Sequence, residues 1–127
     1  MSKGRVLVTG RYGFTGSYVA EALATAGWEV WGGCSHPTND MGSFDRVADL
    51  TDASSVAQMI DDVRPDAVVH LAGIAFVGHG SVDDFYHVNL LGTRNLLDAL
   101  SKGGYGKRGV VLASSANVYG NTLVSSI

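Results

Sequence analysis

Short apolar runs alternate with helix-forming stretches along this chain, and that alternation restricts the fold more than any single residue does. "RVLVTG" (5–10) is a β-branched run stopped by glycine, the pattern of a buried strand. Phe14 to Ala26 are good helix formers, with Gly27 as a stop signal. "WEVWGG" (28–33) reads as a second strand, and 34–43, with Pro, Asn, Asp and Gly, as a loop. "FDRVADL" (44–50) is a third, short strand. "DASSVAQMIDDVRP" (52–65) is an amphipathic helix with Val56, Met59, Ile60 and Val63 on one face and Pro65 after its end. "DAVVHLAG" (66–73) is a fourth strand, 82–102 a long helix and "RGVVLASS" (108–115) the last strand. Strands this apolar need cover on both faces, so the order β-α-β-β-α-β-α-β indicates an α/β fold: a parallel sheet with helices on both sides. Right-handed crossovers then suggest strand order 3-2-1-4-5.

A length of 127 residues predicts one domain, and 46% hydrophobic against 17% charged residues predicts a globular one. The net charge is −3 and the basic residues are dispersed, which leaves no footprint for nucleic acid or a polybasic membrane contact. The single cysteine, Cys34, excludes an intrachain disulfide and a cysteine-based zinc cage, and suits a reducing compartment. No apolar run approaches spanning length, and "MSKGRVLVTG" lacks a signal-peptide layout, so the expected location is the cytoplasm, without a membrane partner.

"TGRYGFTG" (9–16) places Gly10, Gly13 and Gly16 between the first strand and the first helix. In that context a glycine loop reads as a dinucleotide cradle in a Rossmann-type sheet. Gly10 permits a tight turn, Gly13 lets a diphosphate approach the backbone, and Gly16 lets the helix pack closely. The helix N-terminus offers N–H groups and a partial positive charge to the phosphates. The bland alternative is a turn that merely requires glycine. An acid usually ends the second strand where the adenosine ribose of NAD binds. Here "WGGCSH" (31–36) has none, and Asp40 lies in the following loop. NADP is therefore slightly favoured over NAD, with Arg11 either facing a 2′-phosphate or simply solvated.

Five segments, "TGRYGFTG", "ADL" (48–50), "HLAG" (70–73), "VNLLGTRNLLDA" (88–99) and "SSANVYG" (114–120), occur in the order and spacing of the extended short-chain dehydrogenases/reductases. The chain resembles that family of sugar-nucleotide epimerases, dehydratases and reductases over nearly its whole length. Within it, the short connection between the second and third strands and the segment "RPDAVVHLAGIAFV" (64–77) are most similar to the GDP-4-keto-6-deoxymannose reductases. The resemblance implies that Gly10, Gly13 and Gly16, with Phe14 and Thr15, line the pyrophosphate. It further implies Asp49 and Leu50 beside the adenine, and Leu71, Ala72, Gly73 and Ser114 along the rest of the cofactor. Ser115 matches the residue that hydrogen-bonds the substrate oxygen at the reacting carbon. Tyr119 matches the non-catalytic "VYG" tyrosine. Each has a plainer alternative: Asp49 as a helix-entry acid, and Asn89 as a structural bridge from a core-facing stripe of Phe85, Val88, Asn89, Gly92, Leu96 and Ala99. His70, inside an apolar strand, is expected to be a satisfied core histidine.

Dehydratases of the resembled family carry acids after the Ser/Thr, where this chain has Ala116 and Asn117. The resemblance thus implies a keto-sugar reductase or 4-epimerase acting on a nucleotide-sugar. The family's Tyr-x-x-x-Lys pair, in which the lysine lowers the tyrosine's pKa, does not occur in this sequence. The expectation is that residues 1–127 form the N-terminal part of a dinucleotide-binding domain, incomplete at the C-terminal side of its sheet, with no substrate domain and no activity alone. The rival readings are a stand-alone dinucleotide module and a pseudoenzyme fragment. Helix 82–102 is apolar on more than one face, through Leu90, Leu91, Leu97 and Leu100, and strand 108–115 is expected at the sheet edge. Both predict self-association.

Overall fold

The computed structural model describes residues 3–35, 37, 39, 41–71 and 82–113, with residues 82–86 and 88 as backbone only. The elements run β1 (Arg5–Thr9), α1 (Phe14–Thr25), β2 (Glu29–Cys34), β3 (Asp45–Val47), α2 (Ala53–Val63), β4 (Ala67–His70), α3 (Val82–Gly103) and β5 (Gly109–Leu112). Among the described residues, the strands form one sheet of order β3-β2-β1-β4-β5, and every pairing is parallel. The expected Rossmann-type order is the observed one.

That order dictates which helix covers which face. The chain steps one way across the sheet through α1 and the opposite way through α2 and α3. With right-handed crossovers, α1 therefore lies on one face and α2 with α3 on the other. The core agrees. Leu7, Trp31, Val56, Met59, Ile60, Val63, Val68, Leu96 and Leu100 form one buried cluster. Val6 and Val8, equally buried, lie outside it. Alternation along β1 turns them to the α1 face. Thr9 pairs with Gly33 on one side and His70 on the other, so β1, β2 and β4 end nearly level.

Several boundaries differ from the expected ones. The third strand covers only Asp45–Val47 rather than 44–50, because the chain turns at Asp49. The Asp49 carboxylate accepts from the Thr51 backbone N–H (2.9 Å) and hydroxyl (2.6 Å), and the Asp52 N–H returns to the Asp49 carbonyl at 3.0 Å. Asp52 is the N-cap of α2, not its first residue, and accepts from the Ser54 N–H at 2.9 Å. The final strand, Gly109–Leu112, is exposed throughout, with Val111 at 58% and Leu112 at 48%. Of the leucines that make α3 apolar on more than one face, Leu100 is buried beside Leu96, whereas Leu90 (71%) and Leu97 (40%) are exposed. Among the described residues, no helix is long and apolar enough to cross a membrane.

Candidate dinucleotide site

The level strand ends leave β1 to turn directly into the glycine loop. Gly10 has φ +70°, a left-handed conformation that glycine adopts without steric cost. Its N–H reaches the Gly33 carbonyl at 3.0 Å, tying the loop to the end of β2. Gly13 is the N-cap of α1 with ordinary extended angles, so its backbone does not itself require glycine. It contributes no capping side chain, and the first turn carries no acid. The first-turn amides of Phe14, Thr15 and Gly16, which no helix can pair internally, therefore meet no negative side chain from their own turn. Gly16 is buried, and a Cβ there would collide with the Gly10 carbonyl and lie 2.8 Å from the Arg11 carbonyl oxygen. Gly10 thus makes the tight turn and Gly16 the close packing expected of them.

Beside the loop is a cleft of about 200 Å³ lined by Thr9, Gly10, Gly33, Cys34, Ser35, Ala48, Leu50 and Met59. It opens where β1, β2 and β3 end. Leu50 forms part of its wall, and the Leu50 carbonyl accepts from Asn95 of α3 at 2.8 Å. Asp49 is exposed outside that wall and holds Thr51. The Cys34 thiol is pushed up in pKa by burial and by the Asp45 charge, so it lines the cleft as a neutral group. Leu71 is buried, its N–H held by the Thr9 hydroxyl at 3.0 Å. Ala72, Gly73, Ser114, Ser115, Ala116, Asn117 and Tyr119 lie outside the described residues, as does Asp40.

His70 has both ring nitrogens partnered: Nδ1 lies 2.7 Å from the Thr9 hydroxyl and Nε2 3.2 Å from the Thr93 hydroxyl. The Thr93 hydroxyl donates to the Asn89 carbonyl at 2.9 Å, so it accepts from Nε2–H, and Nδ1 accepts from Thr9. Burial lowers the imidazole's pKa and keeps this neutral form. The histidine is a core bridge, as its apolar surroundings predict. Asn89 takes part through its backbone carbonyl.

Arg11 stacks over Tyr12 and pairs with Asp45, Nε to Oδ1 at 3.4 Å. Asp45 is the residue that sequence reasoning missed. Its carboxylate, 5% exposed, also accepts from the Tyr12 hydroxyl and from the Gly42 N–H at 2.8 Å. The hydrogen bond to Asp45, ahead of burial, pushes the Tyr12 phenol up to about 12. No local motif announces this cluster, because Asp45 stands more than thirty positions from Arg11 and Tyr12. Only the parallel register Gly32↔Asp45 brings them together.

A nicotinamide dinucleotide fits this arrangement: a helix N-terminus exposed among the described residues, a loop closed against the sheet, and a mostly apolar cleft beside it. The comparisons agree. Residues 6–125 match the NAD dependent epimerase/dehydratase family. A GDP-6-deoxy-D-talose 4-dehydrogenase of Aggregatibacter actinomycetemcomitans is 34% identical over 91% of this chain and 37% of its own length. The UDP-glucose 4-epimerase of Brucella ovis, solved with NAD, superposes with a TM-score of 0.74 at 32% identity, covering 91% of this chain and 37% of that one. A short-chain dehydrogenase/reductase superfamily protein from Agrobacterium tumefaciens with bound NAD gives 0.72 at 37% identity, covering 91% and 34%. This chain spans little more than a third of each of these proteins. Its strand order, its glycine loop and the match over residues 6–125 agree: it belongs to the NAD-dependent epimerase/dehydratase family.

Proposed function

We propose that the chain is the dinucleotide-binding part of a nucleotide-sugar-modifying oxidoreductase or epimerase. The glycine loop carries this reading: Gly10 turns the chain, Gly16 seats the helix, and Gly13 leaves the first-turn amides open to a diphosphate. Gly10, Gly13, Phe14, Thr15 and Gly16 would surround the pyrophosphate, with Arg11 the candidate partner of a 2′-phosphate. Leu50 with Asp49 would border the adenine, and Leu71, Ala72, Gly73 and Ser114 the remainder. When bound, the dinucleotide accepts or returns a hydride. The protein's own part is to fix the cofactor's position and, through Ser115, to hold the substrate oxygen. Ala116 and Asn117 in place of acids support a keto-sugar reductase or 4-epimerase over a dehydratase. The absence of an acid over residues 33–36 supports acceptance of NADP(H) as well as NAD(H). Without a Tyr-x-x-x-Lys pair, residues 1–127 alone carry out no hydride transfer in this reading, and the substrate lobe belongs to chain outside them.

Calorimetric titration with NADH and NADPH tests the proposal. Gly13→Val is the discriminating variant, because among the described residues a Cβ there meets only the Gly10 carbonyl, at 3.3 Å, and Gly13 is exposed at the helix start where the proposed diphosphate would approach. The expected result is loss of binding with the fold retained. Unchanged affinity would remove the assignment. A marked preference for NADH would overturn the acceptance of NADPH.

A further reading concerns association. Val111 and Leu112 on β5 and Leu90 and Leu97 on α3 are exposed apolar groups. They support self-association through helix 82–102 or edge strand 108–115. Light scattering at high concentration is expected to give a species larger than a monomer; a clean monomer refutes it.

A further inference from the structure

We infer that Asp45 is a positioning residue for the dinucleotide: its carboxylate holds Arg11 and Tyr12, and thereby sets the shape of the glycine loop. The inference rests on the cofactor reading above and adds a residue that lies outside the loop, the helix and the cleft wall.

The stretch from Gly10 to Gly13 must hold one shape if its backbone is to receive a diphosphate. Inside it, the Gly13 N–H closes a turn on the Gly10 carbonyl at 3.0 Å. The two intervening side chains, Arg11 and Tyr12, do not point freely to solvent. Both end on Asp45, one through an ion pair at 3.4 Å and the other through a phenol hydrogen bond. Asp45 is fixed in turn by the β2–β3 pairing at Gly32 and by the Gly42 N–H at 2.8 Å. The cluster therefore connects the cofactor loop to the sheet through three side chains from two segments.

Gly32 makes this possible. A Cβ on Gly32 would run into the Arg11 Cδ and the Asp45 Oδ1, and would lie 3.2 Å from the Arg11 Nε. The missing side chain is the space through which Arg11 crosses the sheet surface. A carboxylate this buried carries a desolvation cost that a guanidinium and two further donors offset. With Asp45 removed, Arg11 and Tyr12 lose a common anchor and the loop samples other shapes. Binding then requires that freedom to be lost again, which weakens affinity.

The test uses the chain itself, with NADH as the probe and amide hydrogen exchange read residue by residue in the ligand-free protein. Tyr12→Phe is the mild variant, since it removes one hydroxyl from a half-buried side chain. Asp45→Asn keeps the shape and removes the charge, and Asp45→Ala removes the anchor. The expected result is faster exchange at Tyr12 and Gly13 with the β1 and β4 amides unchanged. NADH dissociation constants are expected to rise severalfold in Tyr12→Phe and at least tenfold in Asp45→Ala. Combining Tyr12→Phe with Asp45→Ala is expected to add little to Asp45→Ala alone, because both remove the same tie. Wild-type loop exchange in Tyr12→Phe and Asp45→Asn overturns the inference. So does acceleration of all amides together, which marks a residue needed only for the fold. If the wild-type chain binds no NADH, the cofactor reading fails, and the loop exchange still decides whether Asp45 shapes the loop.

Discussion

Gly16→Ala replaces one hydrogen by a methyl group at the most crowded point of the loop. The new Cβ lies 2.8 Å from the Arg11 carbonyl oxygen and nearer still to that of Gly10, inside the 3.0 Å that real Cβ atoms essentially never cross. Both obstacles are backbone, so no rotamer change relieves them. Either the helix start lifts or the loop moves outward. Overpacking of this kind costs about 1–3 kcal/mol. Two backbone oxygens inside 3.0 Å place this site in the upper part of that range, about 2–3 kcal/mol; alanine's helix preference returns at most about 1 kcal/mol, leaving a predicted net loss of about 1–2 kcal/mol. Urea denaturation measures it directly, and the matching fall in Tm is on the order of 5–10 °C for a domain of this size. Gly13→Ala is the control, since its Cβ meets one oxygen at 3.3 Å and its φ of −74° suits any residue. Equal unfolding midpoints for Gly16→Ala and wild type would show that α1 does not rest on the loop as described, and would remove the packing argument for the third glycine.

Stability should also depend on pH through His70. Its folded-state pKa lies below the ordinary 6.5 because burial disfavours the imidazolium. As pH falls through 6.5, the unfolded chain takes up the proton first, so the contribution is complete above 6.5 and is lost progressively below it. The gap in urea midpoint between wild type and His70→Gln should therefore shrink from pH 7.5 to pH 5.0; a constant gap contradicts this. Asp52→Ala removes the cap of α2 and should cost about 1 kcal/mol, read as a lower midpoint with unchanged denaturant slope; an unchanged midpoint contradicts the cap.

The strand order was legible because each apolar run is short, each is bounded by glycine or polar residues, and handedness leaves few ways to connect them. The glycine loop was legible for a related reason: the turn at Gly10 and the close packing at Gly16 are local and depend on positions only six residues apart. Asp45 was not. Its partners come from a loop more than thirty residues earlier, and a lone acid at the start of a strand carries no periodic or spacing signal. The shortened third strand was missed because Asp49 competes locally for Thr51 and bends a stretch that reads as extended. The exposure of β5 shows a further limit. An apolar run gives strand propensity but does not identify what covers the strand.

The central position of β1 has a kinetic meaning. This strand is the first described element of the chain, yet its two neighbours are β2 and β4, and Val6 pairs with Ala67, 61 positions later. Until β4 has been synthesised, one row of β1 amides and carbonyls has no sheet partner, and its valines have only part of their cover. Made before both of its neighbours, β1 is thus completed only when β4 joins it. Topology of this kind slows folding, because long loops must close before their contacts stabilise anything. During synthesis on the ribosome, the segment that turns into the cofactor loop waits longest for the strand that flanks it.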